Sequence, residues 1–335
     1  MTEYINKLKG HSFKWYLGKL LYFIGLQYWK FIIIYYKFNP FKKDLKQTIG
    51  DRMDKIMQDS DPDLFAVTSP DNVYQLAQKQ NRSILLEVIK EKLLPGSGLE
   101  GVENFIQLHD HAKRGKSTVI LSSHFSNFDV PALYTLFAEH NPEMVKHFDD
   151  IIFIAGRKLT EGCKYVKALS EIFSRLVISA KSSKMTEQDI KLAMAINKSA
   201  QKKMNKLKNQ GHIFVVYPTG TRCRPLIPKT HRGLREIYNY LRKFDYFLCL
   251  GMSGNCMPTS DESSMIHEYP KKGKLIYKFG EVRDTDSFIK QHEQDLFEGI
   301  DNKQYIIDRV MNEIYSLGND PRKNKLLSIK NWGEK

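Results

Sequence analysis

Two short apolar runs, rich in β-branched residues, constrain this chain more than any other feature: Ser117 to Ser123 (STVILSS) and His212 to Tyr217 (HIFVVY). Each stops at polar or turn-forming residues, so each reads as a buried strand ending in a loop. The pattern recurs at Asp150 to Ala155, Arg175 to Ser179, Tyr246 to Met252 and Lys274 to Val282. Helical spacing fills the intervals: Val102 to Arg114, Asp129 to about His140, Glu161 to Phe173, Leu234 to Leu241, and Thr186 to Lys208 behind a capping-box-like TEQD. That alternation predicts an α/β fold, a mixed central sheet flanked by helices on both faces.

A helical section precedes the alternation. Residues 1–98 carry helical spacing, and the α/β part is expected over 99–318, with a polar, basic tail over 319–335. Within the first section Trp15 to Tyr36 is aromatic and aliphatic, but Lys19 and Lys30 interrupt it, so no uncharged run is long enough to span a bilayer. Lys19, Lys30 and Lys37 fall on nearly one side of a helical wheel and leave a broad apolar face. Such a helix either lies in a membrane interface with its lysines at the headgroups, or packs that face on the α/β part. Lys42 to Gln58 continues helical, Asp59 to Asp71 has the composition of a loop, and Val73 to Leu94 reads as one or two helices stopped by PGSG.

The chemistry-bearing residues stand where strands end. His124 and Asp129, in LSSHFSNFDVP, leave the first long strand, and loops beyond strand C-termini are where open α/β sheets bind ligands. An imidazole there can take a proton from a hydroxyl, and a carboxylate on the following turn can hold its far nitrogen. The run HIFVVY breaks at Pro218 into TGTRCRP, from which Arg222 and Arg224 project two residues apart. Alternate side chains of an extended segment share a face, so the two guanidiniums suit one anion, a phosphate above all.

These blocks resemble the glycerolipid acyltransferase family, whose motifs are an HxxxxD and an FPEGTR-like turn. Here they are His124 to Asp129 and Tyr217 to Arg222 (YPTGTR), with Ile151 to Leu159 (IIFIAGRKL) between them as a strand with a basic end. Thr219 stands where many members have Glu, and GTRCRP is closest to the soluble, plastid-type glycerol-3-phosphate acyltransferases. The resemblance implies glycerol-3-phosphate O-acyltransferase activity in phospholipid biosynthesis, with His124 as general base and Asp129 as its orienter. It further implies a phosphate site of Arg222, Arg224, Lys184 and Lys181, with Lys158 and the turn residues Gly220 and Thr221. The acyl donor would be acyl-CoA or acyl-carrier protein, with no metal and no further cofactor. A second acceptor fits the same motifs, 1-acylglycerol 3-phosphate. Outside catalysis, the alternative is a lipid-binding protein on the same scaffold.

The charge balance agrees with such partners. There are 52 Lys and Arg against 38 Asp and Glu, a net charge of +14, which suits acidic carriers, anionic membranes or nucleic acid. The basic residues are spread rather than blocked and no nucleic-acid-binding signature appears, which argues against nucleic acid. With the aromatic helix, this predicts a peripheral or interfacially anchored protein at the cytoplasmic face of a membrane. Cys163, Cys223, Cys249 and Cys256 form no CxxC pair and read as free thiols, Cys223 with a pKa depressed by its two arginine neighbours. His109, Asp110 and His111 tempt one toward a metal, but adjacent helical positions point roughly 100° apart. GMSGN, Gly251 to Asn255, misses the spacing of a nucleophile elbow by one residue, so Ser253 is not read as a nucleophile.

Overall fold

The computed structural model describes residues 50–60, 68–157, 159, 164–180, 185–259, 268–293 and 301–325. The expected aromatic helix and the expected phosphate ligands Lys158, Lys181 and Lys184 lie outside the described residues. The first elements are α1 (Asp51–Gln58), β1 (Tyr74–Gln75), α2 (Arg82–Lys90), β2 (Gly98–Glu100), α3 (Val102–Lys113), β3 (Thr118–Ser122) and α4 (Asp129–His140). Next come α5 (Val145–Phe148), β4 (Ile151–Gly156), α6 (Lys164–Glu171), β5 (Arg175–Ile178), α7 (Glu187–Lys208) and β6 (Ile213–Val216). The chain continues through α8 (Ile237–Leu241), β7 (Tyr246–Ser253), β8 (Ile276–Phe279), β9 (Arg283–Asp284), α9 (Thr285–Glu293) and α10 (Asn302–Leu317).

The strands form one mixed, nine-stranded sheet in the order β1-β5-β4-β6-β3-β7-β8-β2, with β9 on β7. Its centre is parallel: β3 pairs β6 and β7, and β4 pairs β5 and β6. Antiparallel strands cap it on either side, β1 on β5 and β8 on β7. The expected α/β architecture is thus the observed one. Period-two alternation within the apolar runs divides the side chains between two cores. Ile120, Val215 and Leu248 face one core with Phe128, Phe137 and Phe105. Val119, Leu121, Phe214 and Phe247 face the other with Ile196, Met204 and Ile307. Helices cover both faces, which is why the runs show no polar alternation.

One sequence expectation changes. Val73 to Leu94 is not continuous helix: Tyr74 and Gln75 pair antiparallel with Leu176 and Arg175, and the helix starts only at Arg82. The exposed backbone edge of β5 offers hydrogen bonds that outweigh weak helical spacing. Met53, Ile56, Leu85, Val88 and Ile89 are buried in the same cluster as Ile120 and Val215. Among the described residues, no helix is long and apolar enough to cross a membrane.

The connections out of β3 and β6 set up the site. These neighbours run parallel, so their C-terminal ends lie at one edge of the sheet. After β3 the chain turns onto the Phe128 face as α4, and after β6 it reaches α8 on the face of Ile237 and Leu241. Where consecutive connections part to opposite faces, a crevice opens beyond the strand ends.

Candidate functional site

His124 lies two residues past β3 and Asp129 opens α4. The loop between them is held by that carboxylate. Asp129 Oδ2 accepts from His124 Nδ1 at 2.7 Å, from the Phe125 N–H at 2.7 Å and from the Ser126 N–H at 3.0 Å. Ser126 Oγ accepts from the Phe128 N–H at 2.7 Å, tightening the turn. A carboxylate at the first turn of a helix is also favoured by the helix dipole. An ionised Asp129 can only accept, so Nδ1 is the donor in this contact and Nε2 is the nitrogen left for proton transfer. The Asp129 side chain is buried, whereas that of His124 keeps 22% of its surface open, so the imidazole meets solvent and the carboxylate does not.

Tyr217, the last residue of the HIFVVY run, stacks on the imidazole with ring centroids 4.1 Å apart and planes at 17°. Burial, and then the nearby Asp129, push the Tyr217 phenol well above its ordinary pKa, so it packs as a neutral ring. From behind, the Tyr277 hydroxyl on β8 donates to the Asp129 carbonyl at 2.8 Å. Burial likewise holds that phenol neutral.

The TGTRCRP turn sits against this loop. The Cys223 N–H donates to the His124 carbonyl at 2.7 Å, so the arginine turn and the His/Asp loop are hydrogen-bonded at the same rim. Gly220 takes φ +63°, its N–H reaches the Tyr217 carbonyl at 2.9 Å, and a Cβ there would lie 2.6 Å from Leu234 Cδ1. Both the left-handed backbone and the close approach call for glycine. Thr219 is buried, and its hydroxyl donates to the Thr221 carbonyl at 2.5 Å, while Thr221 itself is exposed.

The arginines have different surroundings. Arg222 is buried, and its Nη1 pairs with Glu268 Oε2, which also accepts from Asn127 Nδ2 at 3.3 Å. The other Glu268 oxygen is buried and has no hydrogen-bond partner among the described residues. Arg224 is half-buried; its N–H donates to Thr230 Oγ1 at 2.9 Å and its carbonyl accepts from His231 Nε2 at 2.6 Å. Cys223, between them, departs from expectation. It is buried beside the Tyr315 hydroxyl at 3.8 Å, and burial pushes the thiol up, Arg322 offsetting only part of that rise. The thiol is thus turned into the core, away from the open, electropositive surroundings that a reactive thiolate needs.

A third arginine comes from the segment expected as a polar, basic tail. The Arg322 guanidinium lies over the Phe125 ring, 5.1 Å from its centroid, and over Tyr315 at 4.8 Å, and it pairs with Asp320. Glu268, Tyr277 and Arg322 were missed because nothing in their local sequence marks them; each is brought in by a distant element. The histidines of the HDH triplet diverge as helical geometry requires. His109 Nε2 meets Asp150 at 2.9 Å, and His111 stacks on Tyr246 at 4.0 Å, both at the opposite end of the sheet from His124. Burial alone would raise Asp150, but hydrogen bonds from His109 and Lys113 hold it below the usual carboxylate range.

The rim therefore combines an oriented imidazole with an open nitrogen, a cationic turn and a buried acceptor oxygen. Such a set can deprotonate a hydroxyl and hold an anion. Compared with known proteins, the chain matches no family model and no curated protein.

Proposed function

We propose that this chain is a glycerol-3-phosphate O-acyltransferase of the HxxxxD kind, working peripherally at the cytoplasmic face of a membrane. The observation that carries the reading is the union of the His124–Asp129 pair with the Arg222 to Arg224 turn, joined by the Cys223 to His124 backbone hydrogen bond. His124 Nε2 takes the proton of a glycerol hydroxyl as that oxygen attacks the acyl thioester carbonyl. Asp129 holds the ring and stabilises the imidazolium that forms. Collapse of the tetrahedral centre breaks the C–S bond, and the departing thiolate takes the proton back, leaving ester and free thiol. No covalent acyl-enzyme is needed, so both substrates bind together.

The cationic turn fixes the phosphate end of the acceptor, which converts a chance encounter into an oriented one. Arg222 already has Glu268 as its counter-ion, so the phosphate either shares that guanidinium or engages Arg224 first. The Glu268 oxygen that has no partner among the described residues is an acceptor for a second substrate hydroxyl. A second acceptor, 1-acylglycerol 3-phosphate, is favoured by Leu226 and Leu234, which stand exposed beside the arginine turn. Offering the two acceptors side by side with a labelled acyl thioester tests the reading. Faster acylation of glycerol 3-phosphate supports it, preference for the monoacyl form moves the assignment to the second acceptor, and acylation of neither overturns both.

A further inference from the structure

Large apolar side chains left in water carry information when they gather in one place. Among the described residues, Leu94, Ile190, Met194, Leu226, Leu234 and Tyr269 are exposed, Leu226 at 76% and Met194 at 63%. The topology puts all of them at the end of the sheet where His124 lies. Leu226 and Leu234 belong to the return from β6, whose start is tied back by the Leu234 N–H to the Pro218 carbonyl at 2.8 Å. Leu94 follows Leu93, which bridges to Gly273 just before β8; that strand is antiparallel to β7 and so begins at this end. Tyr269 adjoins Glu268, the partner of Arg222.

Ile190 and Met194 stand on the first turns of α7. Asn197 exchanges hydrogen bonds with the Ser179 N–H at 2.8 Å and the Ser179 carbonyl at 2.9 Å, and Ser179 directly follows β5. Asn197 is therefore level with the strand ends, and the turns before it stand beyond them. Leu76, also exposed, is the counterexample that fixes the sense. It follows β1, whose antiparallel pairing of Gln75 with Arg175 puts it at the opposite end.

We infer that the strand C-terminal rim is a docking face for an anionic lipid bilayer. Charge complementarity selects that occupant: among the described residues, Lys191, Lys229, Lys271, Lys272 and Lys274 stand exposed among the apolar tips, more than offsetting Glu91, Glu187 and Glu236. Apolar side chains from separate elements at one rim, each with lysines near it, match headgroups over acyl chains, whereas a protein partner calls for a continuous groove or patch. The inference concerns the face around the proposed site and does not depend on the acyl-transfer chemistry. Docked this way, the site opens toward the membrane and its lipids rather than toward bulk water.

The stretch Trp15 to Tyr36 could itself carry the chain to vesicles, so the readout must be local. In the full chain, with Cys163 changed to Ser and the buried Cys223, Cys249 and Cys256 left in place, an environment-sensitive fluorophore is attached to Leu226→Cys or, separately, to Leu76→Cys. Each is mixed with vesicles of phosphatidylcholine alone or of phosphatidylcholine with phosphatidylglycerol. The expected result is a blue shift at position 226 with the anionic vesicles, a smaller one with the neutral vesicles, and none at position 76. Adding Met194→Asp raises the lipid concentration needed for half the shift by about tenfold or more. The inference is overturned by an unchanged probe at 226, by equal shifts at 226 and 76, or by a shift that grows with protein concentration without vesicles, which would assign the face to a second copy of the chain. Because no outcome is read as turnover, an inactive protein that docks and an active one that does not are told apart.

Discussion

Asp129 concentrates three donors on one oxygen, so under the proposed mechanism it serves both the chemistry and the fold of the loop. Asp129→Asn keeps the shape but puts an amide where His124 Nδ1 must donate, and kcat should fall by about a hundredfold or more in a steady-state assay. Tyr217→Phe should leave turnover within about twofold, since the ring and not the hydroxyl contacts His124, whereas Tyr217→Ala removes the stack and should lower kcat further. Arg222 and Glu268 form a cycle that separates function from stability. Arg222→Ala raises the acceptor KM and strands a buried carboxylate, at a cost of about 3–5 kcal/mol in chemical denaturation. Arg222→Ala with Glu268→Gln should recover part of that stability while the KM stays high. Recovery of KM in the double variant would mean that Arg222 does not touch the acceptor. At this scale the His/Asp pair and the arginine turn were legible because each is local in sequence. Glu268 and Arg322 were not, because a chain shows its long-range neighbours only once folded.

Element boundaries in the sheet centre were readable to within a residue or two, since buried parallel strands leave continuous apolar runs. The edges were not. β1 has only Tyr74 and Gln75 to announce it, and its pairing is decided by the open side of β5. α7 shows how the ends of a helix acquire different properties. Its start is set by Thr186, whose hydroxyl accepts from the Asp189 N–H while Asp189 reaches back to Thr186. Its last residue, Lys208, lies over the Phe244 ring with its ammonium donating to the Lys243 carbonyl. Burial, with a smaller contribution from Lys243, lowers the Lys208 pKa to about 8, even though the helix C-terminus favours a cation. Between about 8 and the ordinary value of 10.5 the unfolded chain holds a proton that the folded chain has lost, so this group adds stability as pH rises through that window. Lys208→Met should flatten that part of the stability profile measured by urea denaturation; an unchanged slope would place the charge in solvent.

For the molecule as a whole, strand–helix alternation was enough to predict layers, and the parting of α4 and α8 to opposite faces puts the crevice where the motifs lie. What composition could not reveal is where the excess charge and the exposed apolar groups would gather. The net +14 is spread along the sequence, and only the fold brings Lys191, Lys229 and Lys274 to one rim with Leu226 and Met194. Residues of α1 and α2 join those of α4 in one buried cluster, a long-range contact that only the fold reveals. The central claim is that His124 is the base of an acyl transfer to a phosphate-bearing acceptor. Its most direct measurement is the turnover of labelled glycerol 3-phosphate with an acyl thioester, by the purified chain and by its His124→Ala variant. An acylated product is expected from the first and a fall in kcat of about a thousandfold or more in the second, with acceptor binding nearly unchanged. A variant that keeps close to the original rate, or an unaltered chain that binds the acceptor and forms no product, would contradict it.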